Sequence, residues 1–185
     1  MIVIVSDTHG DSQSWEEISK RFLKGADLIL HAGDVLYHGP RNQLPAGYAP
    51  EELSHRLREL SIPILIARGN CDSQVDEMVL ELPLAGEYLV TIINGVKVLL
   101  HHGHQLEPDR VKDLCRKWSI NLCVQGHTHI PSLVKETGTV YLNPGSPSLP
   151  KGEVSQGTIA LWDDKLIRLI EWKTGHVLAE VELCL

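Results

Sequence analysis

Five apolar runs in this 185-residue chain each lead into a side chain able to bind a metal ion. Val3-Ile4-Val5 runs into Ser6-Asp7-Thr8-His9, Leu28-Ile29-Leu30 into Gly33-Asp34, and Pro63 to Ile66 into Gly69-Asn70. Val98-Leu99-Leu100 then runs into His102-Gly103-His104, and Leu122-Cys123-Val124 into Gly126-His127-Thr128-His129. Each piece alone has a plain structural reading: Asp7 or Ser12 capping a helix, Gly33-Asp34 and Gly69-Asn70 as turns, and His101, His102 and His104 as a polar strand end. His127-Thr128-His129, framed by Gly126 and Pro131, resists such a reading. Chance placement accounts poorly for carboxylates, an amide and imidazoles at successive strand ends, each beside a glycine. In open α/β sheets ligand sites gather beyond the carboxyl ends of strands, so five such loops can converge on one site.

The stretch Asn70-Cys71-Asp72 sets an amide, a thiol and a carboxylate side by side. A thiol there offers a nucleophile, a ligand or a bystander. Cysteine phosphatases carry an arginine six positions after the nucleophile, and that position after Cys71 is Glu77. The nucleophile reading is therefore weak.

The elements that must position these groups alternate. Ile2 to Val5, a helical pattern from Ser14 to Leu23 stopped by Gly25, Leu28 to Leu30, a helix from Pro50 to about Leu60, and Pro63 to Ile66 make a βαβαβ series. That is the grammar of a parallel sheet. After Asp72 the pattern changes: Leu89–Ile93 and Val96–Leu100 flank Asn94-Gly95, a two-residue hairpin signal. A helix over Pro108–Trp118 and a strand over Asn121–Val124 follow, then strands and turns from Thr139, with reversals at Asp163-Asp164 and Thr174-Gly175. Val35 to Ala49 is a long Gly- and Pro-rich loop, and a loop of that length is more often functional than idle. The expectation is an α/β fold in which mixed sheets pack face to face with helices outside, in one domain over 1–185.

Composition narrows the function. The chain is 43% hydrophobic with a formal net charge of -7. That charge argues against the broad basic surface that holds long nucleic acid. Any anionic substrate must be drawn in by a few local cations or metal ions. The chain shows no signal-like segment and no apolar run long enough to span a bilayer. Cys71, Cys115, Cys123 and Cys184 show no C-x-x-C spacing. A cytoplasmic protein with reduced thiols and no membrane partner is expected, with homo-oligomerisation left open.

The ordered series D-x-H, G-D, G-N-x-D, H-G-H and G-H-T-H resembles the calcineurin-like metallophosphoesterases, from Ile4 to about Gly152. It is most similar to the small bacterial YfcE-type phosphodiesterases, through Gly33-Asp34-Val35-Leu36, His38-Gly39-Pro40-Arg41-Asn42, Gly69-Asn70-Cys71-Asp72 and Asn143-Pro144-Gly145-Ser146. The resemblance implies a four-layer αββα sandwich and a site for two metal ions. It places Asp7, His9 and His129 on the first ion, Asn70, His102 and His127 on the second, and Asp34 as the bridge. His101 and His104 become candidates for supporting those ligands. Cys71 stands where many relatives carry a histidine assigned to protonating the leaving group. His38, Arg41 and Asn42 sit on the long loop, where Arg41 could fork onto a phosphate oxygen. Asn143 and Ser146 are expected to shape a turn near the site.

Four imidazoles, one amide and two carboxylates favour a transition-metal pair, Mn foremost with Zn, Fe or Ni as alternatives, over Mg or Ca. Two such dications outweigh Asp7, Asp34 and a bridging hydroxide by about one unit of charge, so an anion such as a phosphoryl group is the natural guest. Metal-bound water has its pKa lowered to about 7, which allows in-line attack by a hydroxide without a covalent enzyme intermediate. The expected activity is hydrolysis of a small phosphodiester. Because a thiol is a weak proton donor, and nearby dications would favour the thiolate, good leaving groups should be preferred and alkyl monoesters cut weakly.

Two rivals stand beside this. The retromer's phosphoesterase-like subunit uses the fold as a protein-binding scaffold, but here all the family's ligand positions are filled. Clustered His and Asp also serve C–N hydrolases, which fit the D-x-H and G-N segments less well.

Overall fold

Strand alternation in β1 (Ile2–Val5) already separates two environments: Ile2 and Ile4 face one buried layer, Val3 and Val5 another. The structure is a computed structural model that describes residues 1–183; Cys184, counted among the thiols above, lies outside the described residues. Among the described residues, Cys71, Cys115 and Cys123 are free thiols.

The expected βαβαβ series is present. β1, β2 (Leu28–His31) and β3 (Ile64–Ala67) are parallel neighbours, joined through α1 (Ser12–Ile18) and α2 (Pro50–Arg58). A π-helical turn over Ser19–Leu23 extends α1. After β3 come α3 (Gln74–Leu80), the short β4 (Leu84–Ala85), the hairpin β5 (Tyr88–Ile93) and β6 (Val96–His101), α4 (Pro108–Trp118) and β7 (Leu122–Val124). The chain continues through β8 (Ser132–Glu136), β9 (Thr139–Asn143), β10 (Thr158–Asp163), β11 (Leu166–Glu171) and β12 (Val177–Glu182). One sheet has the order β12-β11-β10-β1-β2-β3-β4, the other β5-β6-β7-β9-β8. Both mix parallel and antiparallel pairs.

The sheets pack face to face through Ile2, Ile4, Leu30, Val98, Leu100, Val124, Leu142 and Trp162. Outside the first sheet, Val3, Val5 and Ile29 meet Trp15, Ile18, Leu53, Leu57 and Leu80 of α1 to α3. Outside the second, Leu99 and Cys123 meet Val111 and Cys115 of α4. These are the four layers the sequence implied. No helix among the described residues is long and apolar enough to cross a membrane.

Several boundaries differ from the sequence reading. α1 starts at Ser12, and its cap is Asp11, whose Oδ1 accepts the Ser14 N–H at 3.0 Å, rather than Asp7 or Ser12. α3 was unforeseen because its apolar residues point outward: Val75 and Met78 are exposed and Leu80 is buried, so no inward stripe marks it. A reciprocal Ser73–Asp76 capping box starts it instead. β8 escaped notice because it is a mostly exposed edge strand ending in Lys135-Glu136.

Residues 35–49 contain no helix or strand, yet they are tied down. The Gly10 N–H donates to Val35 O at 2.8 Å, Ser12 N–H to Gly47 O at 3.0 Å, and Ala49 N–H to Gly10 O at 2.8 Å. The loop is thereby clamped over the start of α1, beside the carboxyl ends of β1 and β2.

Candidate metal centre

Asp7 and His9 follow β1, Asp34 follows β2, Asn70 follows β3, His102 follows β6, and His127 and His129 follow β7. The two sheets thus contribute to one end of the sandwich. Asp7, His9, Asp34, His102 and His129 are all buried, His127 is half-buried and Asn70 is exposed. Every residue expected as a ligand reaches this place.

The backbone there is unusual. Asp7, His9, Asp34, His127 and His129 have φ of 54°, 46°, 59°, 72° and 60°. Non-glycine residues seldom adopt such values, and when they do they gather at functional sites. Elsewhere among the described residues positive φ falls at helix ends or hairpin turns, such as Glu81, Ser119, Asn94 and Asp164. Strand ends folded back this sharply aim side chains into the gap between the loops.

Three imidazoles are held by main-chain carbonyls. His9 Nδ1 lies 2.7 Å from Tyr37 O, His102 Nδ1 2.7 Å from Ala32 O, and His129 Nδ1 2.8 Å from Leu149 O. A carbonyl only accepts, so each Nδ1 carries the proton and each Nε2 is turned inward as a donor atom for a metal. His9 Nε2 and His129 Nε2 are 3.1 Å apart. Two neutral rings would oppose lone pairs at that distance, an arrangement that calls for a proton or a metal cation between them.

The carboxylates tell the same story. Asp7 Oδ2 accepts from Ser6 Oγ at 2.6 Å and from the His127 N–H at 3.0 Å, whereas buried Oδ1 has no hydrogen-bond partner. That bare oxygen lies 3.3, 3.8 and 3.9 Å from the Nε2 atoms of His129, His9 and His102. Asp34 Oδ1 accepts the Cys71 N–H at 2.8 Å, and Oδ2 lies 3.7 Å from His9 Nε2 and 3.4 Å from His102 Nε2. Asp34 therefore sits between two rings that the family resemblance places on different ions. His102 Nε2 is also 3.2 Å from Asn70 Oδ1, and its ring centroid is 5.1 Å from that of His127. The donor atoms of Asp7, His9 and His129 lie within 4.8 Å of one another, as do those of Asp7, Asp34 and His102. An orphaned buried oxygen and converging imidazole nitrogens fit divalent cations.

Charge follows geometry. Burial would raise Asp34, but the hydrogen bond and charge of His102, with help from Cys71 N–H and His9, hold its carboxyl well below the usual range. Burial likewise works against ionised Asp7, yet His129 and His102 keep it below its ordinary value. Desolvation disfavours charge on His102, and the two carboxylates overcome it and lift the ring to about 9. His9 is lowered, chiefly by burial.

The supporting residues divide. Cys71 and Arg41 line an open cleft of about 940 Å³ in front of Asp34, Asn70, His127 and His129. Cys71 Sγ also comes within 4.8 Å of donor atoms on His9 and Asp34. In the metal-free site, burial and the Asp34 charge push its thiol up to about 12. His104 packs against the His102 and His127 rings with its buried Nδ1 unpartnered. His38 does not line the cleft; its ring lies edge-on to Tyr37 and Tyr48. His101 is on the opposite face of β6 from His102, with Nε2 3.6 Å from Cys123 Sγ, so it supports no ligand. Asn143 donates to Gly126 O and Thr128 Oγ1, and Ser146 Oγ donates to Asp7 O at 2.7 Å.

Sequence reasoning passed over His31 and the part played by Asp72. Asp72 Oδ2 accepts from the Asp34 and Gly69 N–H groups at 2.8 and 2.7 Å, and Oδ1 from Val35 N–H at 2.8 Å, pinning the two loops together. His31 accepts the Gly33 N–H at Nδ1 and meets Thr8 Oγ1 at 3.0 Å through Nε2. Its position at the strand end beside Gly33-Asp34 was the available signal.

The loops pack so closely that Gly69 has no room for a side chain: an added Cβ would overlap Asp34 Oδ1. Gly69→Ala should therefore cost on the order of 1–3 kcal/mol through overpacking. It should also lower metal content. Thermal unfolding and elemental analysis of the purified variant check both, and a variant with wild-type metal content would show that the loop relaxes freely.

Comparison with known proteins gives a consistent picture. A profile of the calcineurin-like phosphoesterase superfamily domain matches residues 1–165. Phosphodiesterase YfcE of Escherichia coli K12 is 33% identical over 183 residues, covering 98% of this chain and 97% of that protein. The solved structure of YfcE, described as a phosphoesterase from E. coli, superposes with a TM-score of 0.88 at 32% identity over 99% of both chains. Vacuolar Protein Sorting 29 from Cryptosporidium parvum aligns with a TM-score of 0.69 over 98% of this chain and 97% of that one, but at 18% identity it shows the fold alone.

Proposed function

We propose that this chain, which belongs to the calcineurin-like phosphoesterase superfamily, is a metal-dependent phosphodiesterase. It acts as one domain on a small diester in a reducing cytoplasm. The observation that carries the reading is the pairing of a bare, buried Asp7 Oδ1 with inward-facing Nε2 atoms of His9, His102 and His129, next to an open cleft that Asp34, His127 and His129 line.

Asp7, His9 and His129 would hold one divalent ion, Asn70, His102 and His127 a second, and Asp34 both. Mn is the first candidate, given the imidazole-rich donor set, with Zn, Fe and Ni behind it. When bound, such a pair supplies Lewis acidity and an acidified water at neutral pH.

The chain's own residues do the rest. Carbonyls of Ala32, Tyr37 and Leu149 fix the ring orientations, so the site is built before any ligand arrives. Asp72 locks the Asp34 and Gly69 loops at the spacing that lets Asp34 face His9 and His102 together. Cys71 stands at the cleft beside Asp34 as a thiol, a weak hydrogen-bond donor that bound dications would bias toward thiolate, and so a poor proton donor to a departing oxyanion. Diesters with low-pKa leaving groups are therefore the preferred substrates and alkyl monoesters weak ones.

The test is hydrolysis of bis(p-nitrophenyl) phosphate and p-nitrophenyl phosphate by protein stripped with chelator and reloaded with Mn, Zn, Fe or Ni. Metal-dependent release of p-nitrophenol from the diester, faster than from the monoester, is expected. A fully loaded protein that leaves the diester intact would sink the reading and favour a binding scaffold.

A further inference from the structure

The cleft has a second chemical feature besides its metal-ligating floor. Its rim carries two cations from different parts of the chain, Arg41 on the loop after β2 and Lys151 on the segment after β9. Among the residues lining the cleft, Asp34 is the sole carboxylate, and it belongs to the floor. This is a local excess of positive charge on a protein whose net charge is -7.

Neither cation is neutralised. Arg56, Arg58, Arg68 and Arg116 are each held by a carboxylate. Arg41, by contrast, makes no hydrogen bond or ion pair among the described residues, and the Lys151 ammonium touches only the neutral Asn42 Oδ1, at 3.3 Å. Unpaired charges leave their binding capacity for a ligand.

Their placement is built. The Lys151 N–H donates to His129 O at 3.1 Å, and two residues earlier Leu149 O receives His129 Nδ1. The same segment is anchored by Ser146 Oγ to Asp7 O and by Ser148 Oγ to Thr8 O. Lys151 is thus mounted on the backbone that orients a metal-site histidine. Across from it, Asn42 Nδ2 donates to His38 O at 2.9 Å, holding the amide whose oxygen takes the ammonium. The two loops meet at that contact and set both cations over one mouth.

We propose that Arg41 and Lys151 form an anion subsite at the rim of the cleft, so that the substrate is a phosphodiester bearing a second anionic group, a phosphate or carboxylate, on one arm. This rests on the phosphodiesterase reading, which supplies the scissile group at the floor. A guanidinium and an ammonium reached together suit a multi-oxygen anion, since charge-assisted hydrogen bonds are the stronger kind. A diester with two neutral arms would engage the floor and leave the rim unused.

The experiment compares three p-nitrophenyl diesters whose other arm is a propyl chain ending in methyl, phosphate or trimethylammonium, at fixed ionic strength with Mn-loaded protein. The phosphate-bearing ester should exceed the methyl one in kcat/KM by at least about tenfold, as expected for new charge-assisted contacts. The ammonium ester should fall below both. Arg41→Ala/Lys151→Ala should collapse the three to within about twofold of one another, and Lys151→Arg should keep the wild-type order. Equal rates for the methyl and phosphate esters in the wild type, or an unchanged ratio in the double variant, overturn the subsite while leaving the phosphodiesterase reading in place. Cleavage of none of the three overturns that reading instead. Calorimetric affinities of the same esters then decide the subsite: preference for the phosphate ester that vanishes in the double variant supports it, and equal affinities overturn it.

Discussion

Asp34→Asn should be folded and nearly inactive, with kcat/KM on bis(p-nitrophenyl) phosphate reduced by at least about a thousandfold, a change of about 4 kcal/mol. The fold should survive for local reasons. Asp34 sits at φ 59°, a region asparagine tolerates as well as aspartate does. Its N–H still reaches Asp72 Oδ2, and an amide oxygen can still accept the Cys71 N–H. What disappears is the negative charge at Oδ2, which lies 3.7 Å from His9 Nε2 and 3.4 Å from His102 Nε2 and is proposed to hold both ions. Elemental analysis should show metal content falling from about two ions per chain to one or fewer. Full metal occupancy with full activity in this variant would refute the bridging role.

The metal-free protein offers a second readout of the same residue. His102 is lifted to about 9 by Asp34 and Asp7 against the cost of burial, so its folded value lies above its unfolded one. Stability from this source is complete below about 6.5 and is lost as pH rises through about 9. Asp34, held low, contributes in the opposite sense, with stability lost only as pH falls through the carboxylate range and below. Chelator-treated wild type should therefore lose thermal stability on the alkaline side of neutrality. In metal-free Asp34→Asn that loss should begin at lower pH, because one of the two charges lifting His102 is gone.

How much of this could be seen in the sequence depended on whether side-chain chemistry or backbone placement carried the information. The strand ends near Asp7, Asp34, Asn70, His102 and His127 were visible because apolar runs and polar donors alternate there, and the two sheets with outer helices follow from that grammar. In the string of histidines the H-G-H resemblance singles out His102 as a ligand but leaves His101 as a supporting candidate; a strand sends successive side chains to opposite faces, and His101 meets Cys123 instead of the site. The carbonyls of Ala32, Tyr37 and Leu149 that orient the ligand rings carry no residue-type signal at all. Asp72 stood inside a recognised quartet, yet its three backbone contacts emerge only once the loops after β2 and β3 are side by side. α3 shows the converse, since outward apolar residues hide a helix from any search for an inward stripe.

Cys71→His should leave good leaving groups almost unaffected and accelerate poor ones, by up to about 10² to 10⁴, the usual range for general-acid assistance. The thiol lies at the cleft beside Asp34, and because a thiol donates only weakly and bound dications would favour its thiolate, it offers little to a departing alkoxide. An imidazole can carry a proton near neutral pH and pass it on. Gly39 packs close to the thiol, where an added Cβ would come 3.1 Å from Sγ, and Cys71 lines the cleft, which offers open space for a larger ring. Rates measured across aryl and alkyl diesters of graded leaving-group pKa should fall steeply with pKa for the wild type and less steeply for Cys71→His. The variant's profile should also acquire a loss of rate on the alkaline side as the new imidazole deprotonates, which a merely steric change would not produce. Parallel slopes for the two proteins would mean that the thiol is not what limits the leaving-group range, and proton delivery would then have to come from water in the cleft.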